Sequence, residues 1–168
     1  MKLLGALIVI AGCGGFGFYM AALWRREERI LRELGSALDF MGCELQYRMT
    51  PLPELCRQTG DKYTGPIREV LENLAGELES QIAPDVRHCM DAALRKTPEL
   101  PASSRTVLDS LGTSMGRFDL EGQLKGLESA RADCRKQVEA MAENRDVRLR
   151  SFQTLGLCAG AALAILFL

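Results

Sequence analysis

Apolar positions recur at helical spacing through the middle of this chain and become continuous at its two ends. Ile30, Leu34, Leu38, Met41 and Leu45 form one stripe, Ile67, Val70, Leu71, Leu74, Leu78 and Ile82 a second, and Leu124, Leu127, Cys134, Val138 and Met141 a third. A period near 3.6 places each set on one face of a helix, and no stretch alternates convincingly with period two, so the expected class is all-α. Turn chemistry supplies the breaks. Thr50 is positioned to cap a helix whose first turn holds Pro51 and Pro53, Gly65-Pro66 opens the next, and Ala83-Pro84 and Pro98 to Pro101 divide the centre. Gly116 to Asp119 separates the last two helices, with Asp119 as the expected N-cap. The pattern predicts about six helices, at 25–49, 51–59, 66–82, 84–96, 101–116 and 120–150, packed as an antiparallel bundle.

The ends differ in kind. No charged residue occurs from Leu3 to Trp24 or from Ser151 to Leu168, and every Asp and Glu lies between those runs. As helices they would extend about 33 and 27 Å, enough to cross a hydrocarbon core of about 30 Å. The expected organisation is a transmembrane helix over 1–24, a helical domain over 25–150 and a second transmembrane helix over 151–168. Arg25, Arg26, Arg29 and Arg32 follow the first run, Arg145, Arg148 and Arg150 precede the second, and only Lys2 lies outside. The positive-inside rule then assigns the middle to the cytoplasm and both termini to the other side of a cell membrane. Cys43, Cys56, Cys89 and Cys134 would be free thiols there.

Two motifs in the first run have other readings. Ile10-Ala11-Gly12-Cys13 resembles a lipoprotein cleavage box, but the apolar run continues through Phe16, Phe18, Tyr19 and Leu23 and ends in arginines, not in a polar tether. Gly12, Gly14 and Gly17 spell a dinucleotide-binding GxGxxG, yet no strand precedes them. Helix packing explains these glycines better. Gly156, Gly160 and Ala164 recur every fourth residue, as do Ala11/Gly15 and Gly17/Ala21, which makes Gly12, Gly15, Gly156 and Gly160 the expected contact positions within the membrane. Such faces suit packing of the two spans on each other or on other subunits, homo-oligomers included.

Little in the middle suggests chemistry. His88 is the only histidine, no CxxC or GxxxxGK[ST] occurs, and no zinc pattern can be written, so neither a metal nor a nucleotide cofactor is expected. Of the 21 basic residues all but Lys2 interleave with the 22 acidic ones along the helices, which excludes the basic stripe of a nucleic-acid-binding domain. The residues point to a non-enzymatic interaction protein.

Two clusters are more specific than periodicity. One runs from Glu44 through Tyr47, Arg48, Thr50, Pro51 and Leu52 to Glu54, and the other from Leu111 through Gly112, Gly116 and Asp119 to Gln123. With Lys2-Leu3-Leu4-Gly5 and the apolar tail, they make the chain resemble the stage III sporulation protein AB family of endospore-forming bacteria over essentially its whole length. Pro53 and the many cysteines are unusual in that pattern. The resemblance implies a component of the assembly between mother cell and forespore, with a soluble domain similar to the cytoplasmic helical domains of type II secretion and type IV pilus platform proteins. By that analogy the chain would be a membrane scaffold that docks the cytoplasmic sporulation ATPase of the same operon and links it to channel-complex membrane proteins. The alternative is an oligomerising channel component without direct docking. Glu44, Tyr47, Arg48, Thr50, Pro51, Leu52, Gly112, Asp119 and Gln123 are the candidate docking residues. Each also has a structural reading: Glu44 and Arg48 as an i,i+4 pair, Tyr47 packed on Leu52, and Gly112 as a close-packing residue.

Overall fold

The structure, a computed structural model, describes the backbone over 2–80, 85–115 and 120–166, and side chains from Tyr19 to Glu143 apart from Ala21 and the two gaps. The helices are α1 (Lys2–Arg48), α2 (Leu52–Gly60), α3 (Pro66–Ser80), α4 (Val86–Lys96), α5 (Ala102–Ser114) and α6 (Leu120–Leu166). No strand occurs among the described residues. The boundaries follow the sequence punctuation closely, and the two helices expected to continue into the terminal apolar runs do so without a break.

Two compact units divide the chain, one made of Met1–Glu28 and Glu139–Leu168, the other of Arg29–Val138. Among the described residues no helix is long and apolar enough to cross a membrane. The side chains of 3–18 and of 151–168 lie outside the described set, and with them the packing positions Gly12, Gly15, Gly156 and Gly160.

The core of the Arg29–Val138 unit is built from the stripes read in the sequence. Ile30, Leu34, Leu38, Met41 and Leu45 of α1 are buried together with Leu31 and Ala37, and α3 contributes Ile67, Val70, Leu71 and Leu74. Each such side chain withdrawn from water contributes about 1.5–3 kcal/mol. Leu127, Ala130 and Cys134 of α6 join them, whereas Leu124, Val138 and Met141 are only half-buried. The shorter helices pack in chain order, α2 on α3, α3 on α4 and α4 on α5, as their short connections require.

Helix ends are satisfied in ways the sequence shows only in part. Thr50 does not cap α2: Pro51 is the N-cap residue, without a side-chain hydrogen bond, and its carbonyl accepts from the Leu55 N–H at 2.9 Å. Pro53 has no N–H, so one of the donors such a cap would serve is missing. Gly65, at φ +67°, starts α3 ahead of Pro66, a left-handed turn for which a residue without Cβ is suited. Asp85 caps α4, accepting from the His88 N–H at 2.8 Å while the ring Nδ1 of His88 lies 2.7 Å from the same oxygen. The His88 backbone N–H, and after it the ring, hold the Asp85 carboxyl below the usual carboxylate range, which gives the single histidine an ordinary capping role. At the other end of α4, the Arg105 guanidinium donates to the carbonyls of Leu94 and Thr97 at 2.7 and 2.9 Å, the cationic cap that helix C-termini favour.

Thr97 is the hub of this polar joint. Fully buried, it accepts from the Asn73 amide at 3.1 Å and donates to the Ala93 carbonyl at 3.1 Å, tying α3 to α4. Ser104, equally buried, has a hydroxyl without any hydrogen bond. Thr97→Val is expected to destabilise the protein by about 1–3 kcal/mol, because the Asn73 amide loses its acceptor, while Ser104→Ala should be neutral or stabilising. Thermal unfolding followed by far-UV circular dichroism separates the two outcomes.

Gly112 sits where α5 meets α4: a Cβ there would lie 2.8 Å from the Met90 Cβ. Gly76, on the outer face of α3, has nothing within 4 Å. Gly112→Ala should therefore cost about 1–3 kcal/mol through overpacking, and Gly76→Ala should add about 0.5–1 kcal/mol by relieving helix entropy. The same unfolding measurement should show opposite shifts.

Candidate functional site

The register of α1 against α6 brings the two sequence clusters together. Asp39 pairs with Arg131 at 2.7 Å, and a Cβ on Gly35 would touch Cys134 at 3.7 Å. Four residues forward on α1 thus correspond to three backward on α6, so the helices are antiparallel. Continued at the helical rise, that register sets Glu44 beside about residue 126 and Tyr47 beside about residue 123. Gly126 in turn packs on the end of α5, where a Cβ would meet the Ser114 hydroxyl at 2.7 Å. The end of α1, the end of α5 and the start of α6 therefore share one end of the unit.

At this end the candidate residues divide by environment. Glu44 is the most protected charge, its carboxylate 15% exposed with Oε2 lacking a hydrogen bond, and Arg48 Nη1 lies 3.4 Å away on the next turn. The i,i+4 pair expected from the sequence is thus present, though without hydrogen-bond geometry. Tyr47 is 81% exposed and so does not pack on Leu52. Thr50 and Leu52 are half-buried, Pro51 is exposed, Gln123 is half-buried, and Gly112 is buried against Met90. Asp119, and its expected cap on α6, lie outside the described residues.

Two residues that sequence reasoning missed belong here. Met49 is 71% exposed and adopts φ +52° as the chain leaves α1, and Leu120 opens α6 at 37% exposure. The left-handed conformation costs a residue with a Cβ about 1–2 kcal/mol and is usually left to glycine at a helix C-terminus. The only sequence signal was a methionine just past a helix end, which is weak. Large exposed apolar side chains among the described residues are Tyr19, Leu23, Tyr47, Met49 and Leu120, three of the five at this end. Such a concentration, next to a half-buried carboxylate, is the composition of a protein-contact surface.

Among the described residues nothing similar marks a reaction centre. Among the described residues no group of three or more His, Cys, Asp or Glu could hold a metal. Cys56 and Cys134 are buried free thiols pushed up to about 12, Cys56 by desolvation and Cys134 chiefly so, with the charge of Asp133 adding. Cys89 is also buried and shifted upward, while Cys43 is exposed.

The arrangement is that of known proteins. Residues 2–168 match the sequence profile of a family described as stage III sporulation protein AB. The stage III sporulation protein AB of Bacillus subtilis (strain 168) is 26% identical over 178 aligned residues, covering 100% of this chain and 99% of that protein. A solved structure of a stage III sporulation protein AB (SpoIIIAB) shares the fold, with a TM-score of 0.65 at 19% identity, over 73% of this chain and 98% of the other. Those relatives carry the name of a sporulation protein, not of an enzyme. Helix order, the two sequence clusters and a profile match running the length of the chain agree: it belongs to the stage III sporulation protein AB family.

Proposed function

We propose that this chain is a non-enzymatic membrane scaffold of the channel between mother cell and forespore. Its two apolar ends cross the mother-cell membrane, its helical unit faces the cytoplasm, and the end of that unit carrying Glu44, Tyr47, Arg48, Met49 and Leu120 docks a secretion-type ATPase, linking it to the channel's membrane components. The observation that carries the reading is the concentration of exposed Tyr47, Met49 and Leu120 where the two family clusters meet. Exposed aromatic and methionine side chains around a protected charge are characteristic of interface centres. Met49 adds a second argument, since a strained backbone persists where the residue serves more than the fold.

Docking is tested with the full chain in lipid nanodiscs titrated with the ATPase in a calorimeter. Tyr47→Ala should weaken binding by about tenfold to thirtyfold, the range of an interface anchor. Met49→Gly should weaken binding while raising the unfolding temperature, because glycine relieves the left-handed turn. Thr106→Ala, on the outer surface of α5, should leave binding unchanged. Undiminished binding in both docking variants would remove this end from the interface, and no binding by the wild-type chain would favour a scaffold acting through its membrane helices.

Sidedness has its own test in the thiols. Cys43 is exposed, whereas burial keeps Cys56 and Cys134 protonated at pH 8 with acidities near 12 and thus unreactive. An impermeant maleimide should label Cys43 only after the cells are permeabilised, with that signal lost in Cys43→Ser. Rapid labelling of Cys43 in intact cells would invert the topology.

A further inference from the structure

Glu44 is the polar group of the docking end that the fold leaves incomplete. Its carboxylate is 15% exposed and its Oε2 is buried without a hydrogen bond, a state that costs free energy once the oxygen has left water. Arg48 is the cation beside it, with Nη1 at 3.4 Å, close enough for the guanidinium to cover the oxygen but without hydrogen-bond geometry. The arginine is itself 73% exposed, so it is the movable part of that cover. Glu44, Tyr47 and Arg48 stand three and four residues apart on one face of α1, which sets the acid at the foot of the exposed tyrosine. An i,i+4 pair that only braced a helix would gain nothing from shielding its acid, because such pairs form with both partners in water.

We propose that Glu44 is the acceptor for a cationic side chain, an arginine or lysine, of the docking partner, and that Arg48 holds the place of that cation until the partner arrives; the inference rests on the docking reading above. The site already accommodates a guanidinium, since Arg48 lies against it. Exposed Glu54 and Glu121, in the first turns of α2 and α6, join Glu44 at this end, so that among the described residues of 44–54 and 120–126 the acids outnumber the bases Arg48 and Lys125. That balance is complementary to a basic partner surface. Tyr47, Met49 and Leu120 would surround the new pair with apolar area and keep water from it, the setting in which a charge-assisted hydrogen bond gains most. A neutral donor would satisfy the oxygen but leave its charge uncompensated once Arg48 has turned away. On docking, Arg48 exchanges a poor intramolecular contact for water, and Oε2 exchanges it for a hydrogen bond of good geometry.

The full chain in lipid nanodiscs is titrated with the ATPase, and the unfolding temperature of each variant is read by circular dichroism. Glu44→Gln keeps the shape and a carbonyl acceptor but removes the charge. It should weaken binding by about thirtyfold or more, because the partner's cation is left buried and unpaired. Arg48→Gln removes the competing cation and should tighten binding by about threefold or more, a change of opposite sign. Both variants should keep the wild-type unfolding temperature, as an i,i+4 pair with an exposed arginine carries little stability. A loss below about threefold in Glu44→Gln would mean a neutral contact or none, and weaker binding in Arg48→Gln would make that arginine the contact. Either result would overturn this inference, while Tyr47→Ala still reports on docking. Lower unfolding temperatures in both variants would make the pair a fold element and overturn it as well. Absence of binding by the wild-type chain would overturn the inference and the docking reading together.

Discussion

The antiparallel seam between α1 and α6 is the constraint on which the helical unit depends. Gly35 faces Cys134 across the seam, at a spacing where an added Cβ would make ordinary contact at 3.7 Å, Asp39 and Arg131 close its outer side at 2.7 Å, and Leu34, Leu38, Leu127 and Cys134 are buried behind it. The ion pair is exposed and contributes little energy by itself, so burial holds the helices while the charges mark the register. Because the seam is antiparallel, Arg29 and Val138 lie at one end of this unit, with the end of α1 and the start of α6 at the other. The short helices between them close the opposite side of the core in chain order.

Polar groups at the helix ends are satisfied locally and unevenly. Asp85 and Arg105 cap the two ends of α4, and Thr97 carries the link to α3, so that α4 is tied to both neighbours by hydrogen bonds as well as packing. The turn after α1 is different. There Met49 holds a left-handed conformation and leaves its side chain in water, although Gly65, in the next connection, shows the usual solution for a positive φ. Stability alone would favour glycine at both positions. Contrast between the two turns is a physical reason to regard the end of α1 as shaped by something besides folding.

Exposed apolar surface follows the same logic. The α1 stripe is buried throughout and the α3 stripe from Ile67 to Leu74, yet Tyr47, Met49 and Leu120 at the cluster end and Tyr19 and Leu23 on α1 remain exposed. Surface apolar residues scattered singly would need no explanation, whereas grouped ones beside specific charges do. One group adjoins a protected carboxylate and suits a protein partner.

Local chemistry determined what periodicity and turn residues can encode: an all-α chain, six helices with nearly their observed limits, and the buried stripes of α1 and α3. The clusters carrying the family resemblance were also legible, because Glu44, Tyr47, Gly112 and Gln123 are distinctive as a linear pattern. Thr50 as a helix cap was not correct, since Pro53 removes a donor that such a cap would serve, and Tyr47 faces solvent instead of Leu52. Close packing at Gly112 was legible, whereas Met90 as its neighbour, the caps formed by Asp85 and Arg105, and the meeting of the α1, α5 and α6 ends were beyond the sequence. These depend on interhelical register, which is set by the shapes of side chains far apart in the chain, and helical periodicity specifies a face but not its partner or offset.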